Sequence, residues 1–161
     1  MRIQTTRFGE VEINDAAILT FPQGLYGFEQ RRQFCLIDHR PDSPLKWLQS
    51  VEDPALAFVV MNPFEYFPDY EVLIPDEEAD ALGLTDPSQA LVLTIVAIPS
   101  DPYQMTANLL APLIINGDTN LARQIILSDP RYSTKHRLLP EAAASPFPAP
   151  KGAAPTVSPP S

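Results

Sequence analysis

The chain has 161 residues, 45% of them hydrophobic, with eleven Lys and Arg against twenty Asp and Glu for a net charge of −9; this suits one globular core and excludes a wholly disordered chain. Its apolar runs fall short of the ~18 residues that cross a bilayer, the start lacks the apolar stretch of a secretory signal, and the single cysteine, Cys35, allows no internal disulfide. A membrane span, export and a disulfide-stapled scaffold are therefore not expected, and a cytoplasmic location agrees with the lone thiol. The acidity is local: residues 41–90 hold eleven acids against Lys46 alone. Such a balance disfavours direct contact with nucleic acid or an anionic membrane and suits a basic protein partner, while also serving plain solubility.

Residues 2–8 and 10–13 alternate in part around Gly9, which predicts an N-terminal hairpin. A strand over 17–21 stops at Pro22, the loop 23–27 carries two glycines, and a short helix is expected over 28–32. Strand composition recurs at 34–38, 46–51 and 57–61, bounded by Pro41, Asp42, Pro44, Asp53 and Pro54. From Asn62 to Tyr70 two prolines remove ladder donors while four aromatics remain, so this stretch reads as an aromatic loop. Asp76 can cap a helix over 77–82 that Gly83 stops. Residues 90–98, apolar except for Thr94, read as a central strand covered on both faces. Strands over 105–110, 113–116 and 123–127 complete the set, the last two joined by a hairpin loop at 117–120. The fold class is mainly β: an antiparallel sandwich or β-barrel-like domain over residues 1–139 with one or two short helices. Seven of the last 22 residues are proline and six are alanine, which predicts a disordered or polyproline-like tail over 140–161.

Chemistry is sparse. Cys35, His39 and His136 lack the paired spacing of a zinc site, and the six glycines are too scattered for a phosphate loop, so neither a metal nor a cofactor is expected. Cys35, between apolar neighbours, reads as a buried structural thiol, and hydroxyls next to His136 in Ser133-Thr134-Lys135-His136 are no sign of a catalytic constellation. A carboxylate-based hydrolase is the weaker alternative to a binding protein, because every acidic chain offers carboxylate pairs. For Phe64, Tyr66, Phe67 and Tyr70 two readings stand: a self-packed loop, or an anchor patch framed by Asp53, Glu65, Asp69 and Glu71.

Several stretches in order carry a family resemblance: Leu19-Thr20-Phe21-Pro22-Gln23-Gly24-Leu25-Tyr26-Gly27-Phe28-Glu29, Lys46-Trp47-Leu48-Gln49-Ser50-Val51-Glu52-Asp53-Pro54, Asn62-Pro63-Phe64 with Phe67-Pro68-Asp69-Tyr70, Met105-Thr106-Ala107-Asn108-Leu109-Leu110-Ala111-Pro112, and Tyr132-Ser133-Thr134. Through residues 2 to about 138 the chain resembles the bacterial flagellar assembly factor FliW family, and the tail departs from that pattern. The resemblance implies a monomeric, non-enzymatic protein with two mutually exclusive partners, flagellin and the translational repressor CsrA. It would bind flagellin before export and, once freed, antagonise CsrA allosterically, away from the RNA-contacting surface. A flagellin-only escort chaperone is the alternative within the same resemblance. The residues expected to touch partners are Asp53, Phe64, Phe67, Asp69, Tyr70 and Glu71, with Asn108 a second choice whose plainer role is an amide satisfying backbone groups at a strand end.

Overall fold

Alternating side chains along the strands sort into two cores, one on each face of the larger of two antiparallel sheets. The computed structural model describes residues 1–38 and 43–138. The expected domain end at 139, the tail over 140–161 and His39 lie outside the described residues. The first hairpin pairs β1 (Arg2–Thr5) with β2 (Gly9–Glu12). Then follow β3 (Leu19–Thr20), β4 (Gln33–Asp38), β5 (Leu45–Ser50), β6 (Ala57–Met61), α1 (Asp76–Ala81), β7 (Ala90–Ala97), β8 (Thr106–Ala107), β9 (Leu113–Asn116), β10 (Ala122–Gln124) and β11 (His136–Arg137).

The main sheet runs β10-β9-β7-β6-β5-β4-β3, and β8 with β11 branches from β7. β7 is central because it is long enough to serve several partners. Its residues 90–93 pair with β9, while residues 96–97 pair with β8 and residues 94–96 with β6. The two ends of the path, β3 and β10, approach through one parallel bridge, Thr20 to Leu121, with Thr20 N–H donating to Asn120 O at 2.9 Å. One bridge is not a ladder, so the sheet is not closed into a barrel and the sandwich-like form of the expected fold is the one that fits.

Residues one apart on a strand point to opposite faces. In β5 Leu48 faces one core with Phe21, Phe34, Val60, Leu113 and Ile115, while Leu45 faces the other with Met61, Val96 and Ile114. The first is braced by Phe21 and Phe34, whose rings meet edge to face at 5.6 Å. The second is roofed by the connections: residues from 66–84, 103–109 and 121–138 pack onto it. Burial of these aliphatic side chains, about 1.5–3 kcal/mol each, is what holds connections with so little regular structure of their own.

Several expectations are corrected. Residues 28–32 form no helix. Phe28 N–H donates to Leu25 O at 2.7 Å and Glu29 Oε2 accepts from Gly27 N–H at 3.0 Å, so the two-glycine turn takes the donors and acceptors that a five-residue helix would need. α1 starts one residue early, with Asp76 inside its first turn and Pro75 in the cap position with no side-chain cap bond. The segment 105–110 is strand only at Thr106–Ala107, because Leu109 and Leu110 N–H both turn to Ser133 O at 3.1 Å. β3 and β10 are likewise shorter than expected, β3 being preceded by a 3-10 turn at Asp15–Ala17 that Asn14 caps. The span 90–98 is not covered throughout, since Leu91 is 55% and Ile98 47% exposed.

Candidate functional site

The expected contact residues do not form one patch. Asp53 lies in the turn between β5 and β6, at the opposite end of β6 from Asn62 and Phe64. That turn is built by side chains. Gln49, fully buried, points its Nε2 at the carbonyls of Ser50 (3.0 Å) and Leu56 (3.1 Å), and Ser50 Oγ accepts from Glu52 and Asp53 N–H. Asp53 accepts from Ala55 N–H at 3.0 Å and pairs with Arg31 at 3.4 Å. Its neighbour Glu52 takes N–H bonds from Gln33 (2.9 Å) and Arg32 (2.6 Å), and the Gln33 bond above all holds the Glu52 carboxyl below the usual carboxylate range.

At the other end of β6 the aromatic loop does both things open to it. Asn62 caps a 3-10 turn over Pro63–Glu65, its Oδ1 accepting from Phe64 N–H at 3.0 Å. Tyr70 is core: it is 5% exposed, its hydroxyl donates to Leu109 O at 2.6 Å, and its ring meets Tyr132 edge to face at 4.8 Å. Burial pushes the Tyr70 phenol well above its ordinary range. Phe64 is 41% exposed and stands on Tyr70 at 5.7 Å. Phe67 is half-buried, packed against the core and edge to face with His136 at 6.1 Å. Asp69 is exposed. Glu71 is exposed too, bound by Arg131 at 2.8 Å, and its N–H donates to the Tyr132 hydroxyl at 2.9 Å. Asn108 Oδ1 accepts from Ala111 N–H at 3.0 Å, which is the backbone-satisfying role, and Asn108 does not line the groove that Phe67, Asp69 and Tyr70 share.

Two grooves flank this loop. Phe67, Asp69 and Tyr70 line one of about 360 Å³, completed by Arg131 and Tyr132 from the connection before β11 and by His136 in β11. Phe64 lines the other, about 610 Å³, with the aliphatic Leu36, Leu91, Leu93 and Ile115 and with Lys46, which is bound to Asp38 at 2.5 Å. The residues missed from sequence are Arg131 and His136. Arg131 holds Asp129 and Glu71 together, and the Asp129 bond is the larger cause of its raised pKa. His136 Nε2 accepts from Ser133 N–H at 2.8 Å, so the ring is a neutral acceptor that closes its own loop, and burial lowers its pKa. Only Tyr132 carried a signal in sequence, as part of Tyr132-Ser133-Thr134.

The acidic segment is partly neutralised from outside itself: Asp53 pairs with Arg31, Glu71 with Arg131, and Glu78 with Arg123. Among the described residues no group of three or more His, Cys, Asp or Glu side chains is placed to hold a metal, and no helix is long and apolar enough to cross a membrane. What the surface offers is ringed apolar relief with a carboxylate edge, the anatomy of a protein-binding surface.

A family model described as FliW protein matches residues 2–138. The flagellar assembly factor FliW of Alkaliphilus metalliredigens is 45% identical over 143 residues, 88% of each chain. That of Heliobacterium modesticaldum is 41% identical over 145 residues, 90% of this chain and 95% of the relative, and that of Geobacter sulfurreducens 41% over 153 residues, 95% and 96%. A crystal structure of the flagellar assembly factor FliW superposes with a TM-score of 0.82 at 38% identity, covering 89% of this chain and all of the other.

Proposed function

The chain belongs to the FliW family of flagellar assembly factors, and from that premise we propose that it works as a cytoplasmic, monomeric, non-enzymatic partner switch. It binds flagellin before export; when flagellin leaves, the freed protein binds the translational repressor CsrA and relieves repression. The observation that supports this most is the Phe67–Tyr132–His136 groove. Its rings are fixed from beneath by the Tyr70 bond to Leu109, and its edge carries Asp69 and Glu71. Rigid aromatic anchors with a charged rim are what a protein interface needs, and an acidic rim complements an RNA-binding protein, which must itself be basic where it meets phosphate. An acidic partner docked beside an RNA site opposes phosphate binding within a Debye length of about 8 Å without covering it. Linkage then requires RNA to weaken this protein's hold on CsrA by the factor by which this protein weakens RNA binding.

The test is capture of flagellin and of CsrA by the purified protein, separately and in competition. Binding of each alone, with one displacing the other, is the expected result. Capture of flagellin without CsrA would reduce the role to an escort chaperone, and capture of neither would end the proposal.

A further inference from the structure

We propose that the aliphatic groove beside Phe64 is a second docking surface, whose occupant is an amphipathic protein helix with an aliphatic ridge flanked by Lys and Arg. This goes beyond the function proposed above and does not rest on it, because the two grooves belong to different cores. Phe67 and Tyr132 pack on the core that holds Leu45 and Met61. Leu19, Leu93 and Ile115, which line the aliphatic groove, belong to the core of Phe21 and Phe34.

Strand register shows why the groove is apolar. Residues directly opposite each other on neighbouring strands share a face. Leu36 stands opposite Leu48, and Leu91 opposite Ile115. Leu93 and Leu91 follow Ile95 at two-residue steps along β7, and Ile95 stands opposite Val60. Leu48, Val60 and Ile115 are buried in the Phe21 core, so Leu36, Leu91 and Leu93 extend that core along its own face of the sheet. At its end Leu36 is 39% exposed and Leu91 55%. With Phe64 they put three exposed large hydrophobic side chains around one space of about 610 Å³. A single exposed leucine is ordinary; a contiguous apolar floor within a polar edge marks an interaction site.

Charge at the edge selects the occupant. Lys46 is the one basic side chain among the described residues that line the groove, and Asp38 holds it at 2.5 Å. The Met1 ammonium is shared by Glu12 at 3.9 Å and by Asp15 at 3.6 Å, next to the lining Ala16. Glu65, beside Phe64, and Asp118, in the turn between β9 and β10, are exposed and meet no cation among the described residues. An anionic amphiphile would bring its head group to these carboxylates, and a second copy, also at −9, would set like edges together. A basic amphipathic segment suits both floor and edge. The width of the floor suits a helix: from β4 across β5, β6 and β7 to β9 is four strand steps. At about 4.8 Å each they cover roughly 19 Å, the length of a helix of about thirteen residues, whose apolar stripe recurs every three to four positions.

The experiment uses the full chain and three synthetic helical peptides: one with a Leu face flanked by Lys, one with the same face flanked by Glu, and one with Lys flanks and a Ser face. Binding is read by fluorescence anisotropy and located by backbone amide NMR. The Leu/Lys peptide is expected to bind about tenfold or more tighter than either control and to move the signals of Leu36, Phe64, Leu91 and Leu93. Leu91→Lys, at an exposed strand position, should weaken it by about tenfold or more with the melting temperature unchanged. Glu65→Lys/Asp118→Lys, outside both cores, should weaken it too and flatten its salt dependence, and this variant decides the matter if Leu91→Lys does not fold. Equal binding by the Ser-faced peptide, no binding at all, or signals centred on Phe67, Tyr132 and His136 overturn the proposal. So does a dimer of the unaltered protein that Leu91→Lys dissolves in sedimentation, which would seat a second copy in the groove.

Discussion

Tyr70 shows how one side chain can look like a contact residue in sequence and be a structural one. It sits among exposed aromatics and acids, yet its hydroxyl has taken the Leu109 carbonyl and its ring lies under Phe64 and against Tyr132. Removing only the hydroxyl in Tyr70→Phe leaves that carbonyl short of a donor, so a loss of about 1 kcal/mol in thermal or urea unfolding is expected. The phenol's raised pKa gives a sign for pH. Its folded pKa lies above the unfolded value of about 10, so its contribution is complete below that value and is lost as pH rises beyond it. Stability of the unaltered protein should therefore fall more steeply above about pH 10 than that of Tyr70→Phe; parallel curves would contradict this. Cys35 behaves as its apolar neighbours in sequence suggest: it is 1% exposed and burial pushes its thiol pKa up. Labelling by a thiol reagent should be slow in the native protein and fast in denaturant, a contrast that a stopped-flow absorbance trace measures directly.

Strands were legible where composition alone decides them and illegible where a turn or a distant carbonyl decides. β4, β6 and β9 could be read to the residue or within one, since each is a short β-branched or aromatic run between proline, asparagine or aspartate breaks. β11 could not, because its two residues owe their pairing to Thr106 and Ala107, thirty positions earlier in the chain. The mistaken helix over 28–32 has the same origin: Gly24 and Gly27, at φ +67° and +87°, set a turn whose bonds consume the following residues. Gly24 is also where a side chain has no room, since an added Cβ would meet Glu29 backbone at 2.6 Å. Gly24→Ala should thus cost more than the ~1 kcal/mol of an ordinary glycine exchange, and calorimetry finding no loss would show that this turn yields. Around the candidate site, the loop 62–70 is legible as a loop from its prolines and aromatics. Arg131 and His136 were not, because what makes them part of a groove is a fold that returns residue 131 to residue 71.

The sheet, its two cores and the charge pairs together decide how the acidic surface can be tested. Because Arg31, Arg131 and Arg123 come from outside residues 41–90 to meet Asp53, Glu71 and Glu78, the carboxylates of that segment are not equivalent probes. Glu71→Lys would place an ammonium beside Arg131 and disturb the groove wall, so a double change at Asp69 and Glu71 mixes rim and wall. Asp69, exposed, is the cleaner position. On the function proposed above, Asp69→Lys should slow association with CsrA and flatten its salt dependence, with unfolding unchanged, because a rim charge acts on encounter rather than on the docked complex. Phe67→Ala is the complementary probe. Half-buried against the core and packed on His136, it should give up part of the roughly 3–5 kcal/mol that a wholly buried Phe loses, and its effect on binding should fall on the dissociation rate, on the order of 2 kcal/mol for an anchor. Surface kinetics over a salt series beside thermal melts separate the two. If Asp69→Lys binds CsrA with unchanged rates at every salt concentration, the carboxylate edge of this groove is solvated surface and the placing of the proposed partner site in this groove is overturned.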